Sequence, residues 1–294
     1  MPERYYQLTL DNGLTVLAEK MPGMQSAAMA ILVPGGVATD PPERTGSATV
    51  LSDLVLRGAG QRNSRELTDH LDSLGLQRSS SVGIHHARFA CAALASRVLE
   101  GLEAYADIVR RPHLPEAGFQ AARDLALQSL ESVQDDPRQK VLIKLREHHF
   151  PWPYGRNTMG SQPELQALTR DDCAADHARR YQPQGAIMSI AGNIEFDQVR
   201  AAVERHFGDW AGQSPPARRV NASSSRVHHE EHQSEQTHIG IAYPAIQETH
   251  ADYYVMRLAI EVLSGGMSGR LFTEVREKRG LVYNVWAGYS GLKG

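Results

Sequence analysis

The residues that first suggest chemistry are His228, Glu231 and His232, which have the spacing H-x-x-E-H. On a helix, this spacing puts two imidazoles and a carboxylate on one face, as a zinc-dependent peptidase requires. The stretch, however, follows a serine-rich segment and runs into residues 237–244, whose alternation predicts a strand. Side chains four residues apart on a strand are roughly 13 Å apart, too far to share one ion. The sequence therefore favours a polar edge strand here over a zinc site.

A second stretch with the spacing of a metal site is TGSATVLSDLVLRGAG, residues 45–60, which predicts an amphipathic helix. Thr49, Ser52 and Asp53 lie on one face of that helix at positions i, i+3 and i+4. This is the arrangement of an H-x-x-E-H site, but hydroxyl groups are poor zinc ligands and one carboxylate does not make a site. The helix therefore has the spacing of a metal site without its ligands.

Weaker signals come from adjacent histidines at 85–86 and 148–149 and from glycine pairs at 35–36 and 265–266. Neighbouring side chains point in different directions on helices and strands alike, so neither histidine pair forms a chelate alone. The glycine pairs lack the G-x-G-x-x-G or Lys-Ser/Thr context of a phosphate-binding loop and are typical of turns.

The composition is that of a soluble globular protein: 294 residues, 41% hydrophobic and 22% charged, with a net charge of −3. It favours neither nucleic acid nor a membrane surface as a partner. No signal-peptide pattern and no apolar run of membrane-spanning length is present, so we expect a cytoplasmic protein. Cys91 and Cys173 have no metal or redox spacing and are expected to be reduced, buried thiols.

The order of predicted elements indicates two domains with a common plan, at residues 1–211 and 226–294, joined by a Pro- and Ser-rich linker at 212–225. A strand, an apolar helix, a helix ending in Gly and a strand follow one another at 26–83 and again at 238–288. The second copy has only about 70 residues. We therefore expect a longer natural chain or a partner to complete it.

Individual elements follow from periodicity and turn residues. In the first domain they include a hairpin around Asp11-Asn12-Gly13, helices at 43–57 and 64–74, and one long or two short strands at 76–94. In the second domain they are strands at 236–246 and 281–291 and helices at 251–266 and 269–280.

Four stretches make the chain resemble the insulinase/pitrilysin (inverzincin) metallopeptidase family, which includes the mitochondrial processing peptidase. They are DNGLTV at 11–16, the helix at 45–60, DDP at 135–137 and, most specifically, LSGGMSGRLFTEVREKRGLVYNV at 263–285. The resemblance spans nearly the whole chain. It implies an α+β fold of tandem homologous domains, each a mixed, mostly antiparallel sheet with helices packed on one face, the second domain being incomplete. In the family, such domains form a clam shell around a chamber that holds peptide.

Matched residue by residue, the two zinc-binding histidines of the family fall on Thr49 and Asp53, and its glutamate base falls on Ser52. A third ligand, a glutamate in the long helix before the acidic-Pro turn, falls on Gln128 or Ser129. None of these positions keeps the residue of the family, whereas zinc requires three protein ligands and an open position for water. The resemblance therefore implies that this chain binds no zinc at this site.

The second domain of the family supplies an arginine and a tyrosine to the substrate and the transition state, and both are kept here, as Arg276 and Tyr283. A guanidinium or a phenol beside a developing oxyanion stabilises its charge. The loop at Gly265, Gly266 and Met267 borders the chamber in the family and is expected to touch peptide. Spacing alone favours a surface helix pair for Arg276 and a core or edge aromatic for Tyr283; the family match favours the functional interpretation.

The resemblance implies the zinc-lacking subunit of a two-subunit endopeptidase, similar to the alpha subunit of the mitochondrial processing peptidase. Such a chain has no cofactor of its own, holds peptide, and offers Arg276 and Tyr283 to a homologous zinc-bearing partner. A homodimer is a further expected assembly. Two alternatives stay open: a non-enzymatic structural or peptide-binding homologue, and a self-sufficient zinc peptidase that uses the histidines at 228–232.

Overall fold

The computed structural model describes residues 5–213, 227–231 and 235–292. The chain forms two compact units, Met1–Ile239 and Gly240–Gly294. Most of the predicted linker at 212–225 lies outside the described residues, so the domain boundaries expected from the sequence stay predictions.

The strands of the first unit are β1 (Tyr5–Thr9), β2 (Thr15–Lys20), β3 (Ser26–Val33), β4 (Gly58–Ala59), β5 (Arg62–Asn63), β6 (Gln77–Val82), β7 (Ala87–Leu94) and β8 (Ile187–Gly192). Six of them form a mixed sheet in the order β1-β2-β8-β3-β7-β6, and β4 pairs with β5 in a short hairpin. Within the six-stranded sheet, β2 and β8 run parallel, and the other neighbours run antiparallel.

The helices of the first unit are α1 (Ser47–Leu54), α2 (Ser64–Ser73), α3 (Val98–Arg110), α4 (Glu116–Ser132), α5 (Pro137–His149), α6 (Gln162–Ala167), α7 (Arg170–Arg180) and α8 (Phe196–Phe207). The sheet buries one face against this layer, because alternate residues of its central strands are buried. In β3 these residues are Ala27, Met29, Ile31 and Val33. α3 packs on β3 and β7, and the hydroxyl of its buried Tyr105 donates a hydrogen bond to the Ala90 carbonyl (3.0 Å).

The hairpin between β1 and β2 follows from its Asp-Asn-Gly turn. Gly13 has a φ of 93°, which a residue with a Cβ adopts only with strain. The Asn12 side chain accepts a hydrogen bond from the Leu14 amide and donates to the carbonyls of Phe207 (2.7 Å) and Trp210 (3.0 Å). The turn therefore fixes the edge of the sheet to the end of α8.

Helix starts in this unit follow from capping residues. α2 begins with a capping box formed by Asn63 and Glu66, and α7 begins with one formed by Thr169 and Asp172. Asp136 caps α5, whose first residue is a proline. The DDP stretch is thus the N-terminus of a helix, where proline lacks only an amide hydrogen that has no partner within the helix.

Some elements of the first unit differ from their predicted form. Residues 76–94 form the two strands β6 and β7, the second of the predicted alternatives. α1 begins at Ser47, later than the predicted helix at 43–57, because the preceding Gly46 has a left-handed φ of 87° and cannot be part of a right-handed helix. α6, β4 and β5 were not predicted, since elements of two to six residues have too little periodicity to detect.

The second unit contains α9 (Tyr253–Ser264), as predicted, and a π-helical turn at Phe272–Glu277 within the predicted helix at 269–280. The strands predicted at 236–246 and 281–291 are wrong for the described residues, since none of residues 235–292 lies in a strand. A strand requires a neighbour that satisfies its backbone groups, and neither stretch has one within the described part of this unit.

α9 has no buried residue, although its sequence is strongly apolar. Val255, Leu258 and Val262 are 64%, 66% and 56% exposed. By contrast Val50 and Leu51 of α1, the helix at the equivalent place in the sequence repeat, are fully buried. Within its described residues, the second unit therefore has the apolar helix of the repeat without the sheet and helices that cover its equivalent in the first unit.

Candidate functional site

The N-terminus of α1 is held by an aspartate carboxylate. Asp40 accepts hydrogen bonds from the amides of Gly46 (2.8 Å) and Ala48 (3.1 Å), which lie where a helix leaves its amides without internal partners. The negative charge also complements the helix dipole. A Cβ at Gly46 would lie 2.7 Å from the Met159 carbonyl oxygen, so only glycine fits this approach.

Arg180, which is fully buried, connects this N-terminus to α7. Its guanidinium lies 2.5 Å from Asp40 and also pairs with Asp176. The Ser47 hydroxyl lies 3.1 Å from Asp40 Oδ1 and 2.9 Å from Asp176 Oδ2. Burial acts to raise the pKa of Asp176, but Arg180 and hydrogen bonds from Arg179, Arg180 and Ser47 outweigh it and lower that pKa below its ordinary value of 3.8. Asp176 is therefore ionised at neutral pH and fixes α1 against α7.

The three positions of α1 that the resemblance assigns to a metal site have protein partners. The Thr49 hydroxyl donates to the Thr158 carbonyl (2.6 Å), and the Ser52 hydroxyl donates to the Thr49 carbonyl (2.9 Å). Asp53, one third exposed, accepts a hydrogen bond from Arg57 Nε (2.6 Å) in an i,i+4 ion pair. Zinc requires three nitrogen, sulfur or carboxylate donors, and this set offers one carboxylate that an arginine already neutralises. The residues do not fit zinc.

The position expected for a third ligand lies on α4, which packs against α1. α4 buries Ala122 and Ala126. Ser129 follows Ala126 by three residues and lies beside this buried stripe, whereas Gln128 lies on the opposite side of the helix. Both are exposed, and the Ser129 hydroxyl donates to the Leu125 carbonyl (2.8 Å). Helical phase thus favours position 129 as the equivalent, and the serine there supplies no charge.

The H-x-x-E-H stretch at 228–232 lies partly outside the described residues, because His232 is not among them. Residues 227–231 have no regular secondary structure, so the predicted edge strand is wrong for this part. Instead the segment contacts α5, where the rings of His148 and His228 stack with centroids 4.3 Å apart and Glu230 pairs with a lysine. Within the described ranges, no three His, Cys, Asp or Glu side chains are grouped as metal ligands.

In the second unit, Arg276 and Tyr283 lie side by side. The guanidinium carbon of Arg276 is 5.2 Å from the centre of the Tyr283 ring and 4.6 Å from that of Phe272. Gly280, with a φ of 59°, reverses the chain between them, and its amide donates to the Arg276 carbonyl (2.9 Å). This reversal brings the tyrosine back alongside the π-helical turn that carries the arginine.

Both groups are accessible. Tyr283 is 83% exposed and Arg276 is about one third exposed. The carboxylate of Glu277 lies 3.7 Å from Arg276 Nε, beyond hydrogen-bonding distance. The sequence identified the arginine and the tyrosine but missed Phe272, for which the i,i+4 spacing to Arg276 is the available signal.

The loop after α9 contains the predicted peptide contacts. Gly265 follows the last residue of the helix, Gly266 has a φ of 85°, and Met267 is 76% exposed. A Cβ at Gly266 would have no neighbour within 4 Å. The loop is therefore open on this side, and its contact with peptide stays a prediction.

Cys91 and Cys173 are both free and buried, as predicted. Burial raises the pKa of Cys91 to about 11 and, as the largest cause, that of Cys173 to about 12, so both are thiols at neutral pH. None of the helices in the described ranges combines the length and apolar character needed to cross a bilayer.

Solved structures confirm the α+β fold expected from the sequence. A peptidase M16 inactive domain from Pseudomonas fluorescens superposes with a TM-score of 0.83 at 18% identity, covering 98% of this chain and 71% of that one. A protease from Helicobacter pylori superposes with a TM-score of 0.81 at 17% identity, covering 99% and 72%. At these identities the likeness concerns the fold alone.

Sequence relatives and family models identify the family. An uncharacterized zinc protease of Mycobacterium leprae is 28% identical over 95% of this chain, and the chain spans 64% of the length of that relative. The model for insulinase (peptidase family M16) matches residues 15–161, and the model for the peptidase M16 inactive domain matches residues 167–294. This chain belongs to the insulinase family, peptidase family M16.

Proposed function

We propose that this chain is the zinc-free subunit of a two-subunit endopeptidase of its family. It holds a peptide substrate and offers Arg276 and Tyr283 to a homologous subunit that carries the zinc helix. The observation that carries the proposal is the adjacency of these two groups, 5.2 Å apart and accessible, in a chain whose own metal-site positions lack ligands. A cytoplasmic location is part of the proposal and is tested by cell fractionation.

The chemistry of the pair is hydrogen-bond donation to developing charge. When a peptide carbonyl is attacked, its oxygen becomes an oxyanion, and fixed donors beside it stabilise the transition state more than the substrate. The guanidinium of Arg276 donates through N–H groups, and the phenol of Tyr283 donates through its O–H group. Gly266 and Met267, in the loop after α9, lie on an open segment suited to contact the peptide backbone.

The test is reconstitution. We expect the purified chain, mixed with the zinc-bearing homologue encoded in the same genome, to hydrolyse internally quenched peptides that neither chain cleaves alone. Arg276→Gln and Tyr283→Phe should each lower kcat by about 100-fold, the usual effect of removing one oxyanion donor. Lys278→Gln is the matched control, since this neighbouring cation pairs with Glu274 and should leave kcat unchanged.

Other outcomes support the alternatives. A stable complex that has no activity, or whose activity is unchanged by Arg276→Gln, would indicate a structural or peptide-binding homologue. Zinc retained by the isolated chain together with turnover would indicate a self-sufficient peptidase using the histidines at 228–232. A chain that only associates with itself and forms no complex with the zinc-bearing homologue would contradict the proposed role of a partner.

A further inference from the structure

Phe272 contacts Arg276, to which the proposed function assigns hydrogen-bond donation, although the proposed function gives Phe272 itself no role. Its ring centre lies 4.6 Å from the guanidinium carbon of Arg276, closer than the ring of Tyr283 at 5.2 Å. We infer that Phe272 is a positioning residue, which holds the Arg276 guanidinium in the orientation that donates to substrate. This inference rests on the proposed function of Arg276.

The geometry leaves the donors of the arginine available. A cation over an aromatic ring is attracted to the π face, and this contact does not require a hydrogen-bond acceptor for the N–H groups of the cation. Within the described ranges, no side-chain hydrogen bond of Arg276 is present, and the carboxylate of Glu277 is 3.7 Å away. Aromatic contact therefore orders the side chain without occupying its hydrogen bonds.

The backbone supports the same interpretation. Phe272 and Arg276 are four residues apart on a π-helical turn, Phe272–Glu277, closed by a hydrogen bond from the Lys278 amide to the Thr273 carbonyl (3.0 Å). Residues with this separation lie on one side of a helical turn, so their side chains meet. π-Helical turns are rare and occur frequently at functional sites.

Ordering matters because arginine is a long side chain with many rotamers. A donor that must be fixed at the moment of reaction loses this freedom, and a group already held in place loses less. Tyr283 cannot do this alone, since it is itself 83% exposed. Phe272, which is half-buried, provides the more constrained of the two rings.

The first readout requires no activity. In the isolated chain of residues 1–294, the Nε–Hε resonance of Arg276, assigned by its loss in Arg276→Lys, should be shifted upfield by the ring currents of the two aromatic residues. Phe272→Leu should reduce this shift, whereas Phe272→Tyr, the matched control, should keep it. An Arg276 resonance that is the same in wild type and Phe272→Leu would overturn the inference.

The second readout is kinetic, with the zinc-bearing homologue and internally quenched peptides. Phe272→Leu should lower kcat about two- to fivefold with little change in KM, the size expected for an exposed cation–π contact. Phe272→Tyr should restore kcat. A loss in Phe272→Leu that accompanies a lower Tm and is not restored by Phe272→Tyr would assign the residue a structural role and overturn the inference.

The two readouts separate this inference from the function on which it rests. If the ring-current shift responds to Phe272→Leu but kcat does not, the aromatic contact exists without positioning a reacting group, and the inference is overturned while the proposed function stands. If the wild-type pair has no activity, the proposed function fails, and the positioning role fails with it.

Discussion

Thr49, Ser52 and Asp53 have the positions of a metal site, and the structure gives each a different partner. Ser52 and Asp53 bind within their own helix, to the Thr49 carbonyl and to Arg57. Contacts of this kind contribute little: about 1 kcal/mol for a typical hydrogen bond and about 0.3–0.5 kcal/mol for an exposed i,i+4 pair. Removing these contacts therefore has a small structural cost.

We predict that zinc binding can be restored by four substitutions: Thr49→His, Ser52→Glu, Asp53→His and Ser129→Glu. The two histidines and the glutamate at 129 would supply three ligands, so the variant should retain one zinc per chain after dialysis. Atomic absorption measures the content, and competition with a chelator measures the affinity.

The control places the third ligand one residue earlier, as Gln128→Glu in place of Ser129→Glu. Position 128 lies on the opposite side of α4 from the buried Ala126. Losing a residue that only hydrogen-bonds a zinc ligand lowers zinc affinity about 10–100-fold. Losing a ligand itself should cost more, so we expect this control variant to bind zinc at least about 100-fold more weakly. Equal affinity of the two variants would contradict the assignment of position 129.

At the scale of single residues, the sequence predicts contacts between residues that are close in the chain. It does not predict contacts between residues that are far apart in the chain. The Asp53–Arg57 pair follows from an i,i+4 spacing. The partner of Thr49 is the carbonyl of Thr158, 109 residues away, which no local pattern specifies. Arg276 and Tyr283 were recognisable only through the family match, and their contact depends on the reversal at Gly280.

Among the elements, α1 is distinguished by the charges at its start. Asp40, Asp176 and Arg180 are each at most 1% exposed and join the segment before α1 to α7. Two carboxylates and one guanidinium in a dry environment stabilise one another only as a set, because a buried charge without a partner is costly.

We predict that Arg180→Ala destabilises the first unit by about 3–5 kcal/mol, since the Asp40 carboxylate would remain buried without its counter-charge, whereas Asp176 keeps its pairs with Arg179 and Arg44. The midpoint of urea unfolding, followed by circular dichroism, measures the loss. Arg200→Ala is the control, because Arg200 pairs with Glu204 at 2.8 Å on an exposed surface and should leave the unfolding midpoint nearly unchanged. Similar losses in the two variants would contradict the role of the buried charges.

The elements of the first unit were largely predictable, because their signals are local. The Asp-Asn-Gly turn and the periodicity of α3 each act within a few residues. The strands expected at 236–246 and 281–291 were wrong because pairing is not local. Apolar alternation indicates that a segment is suited to a sheet, but a partner strand must be present to form one.

At the scale of the whole molecule, the second unit has an exposed apolar surface. Its exposed large hydrophobic residues include Tyr254, Val255, Leu258, Val262 and Leu281. Exposed apolar side chains in such number indicate an interaction site. The chain spans 64% of the length of its Mycobacterium leprae relative. The activity and partners of the whole protein are therefore proposals, which the reconstitution with the zinc-bearing homologue tests.

We predict that the chain of residues 1–294, purified alone, self-associates through this surface. Light scattering after size exclusion should show a mass that increases with concentration, and an apolar dye should bind. Leu258→Asp with Val262→Asp should reduce both signals. Leu125→Asp, which changes an exposed leucine of the first unit, should have little effect. A monomer that binds no dye would contradict the prediction.

The charge cluster at the start of α1 has an evolutionary consequence. In small zinc modules the ion is itself a cross-link, and its removal unfolds the polypeptide. In this chain, Arg180 cross-links the start of α1 to α7 through its ion pairs with Asp40 and Asp176. Changes to the partly exposed side chains of α1 can therefore accumulate without loss of the helix's position.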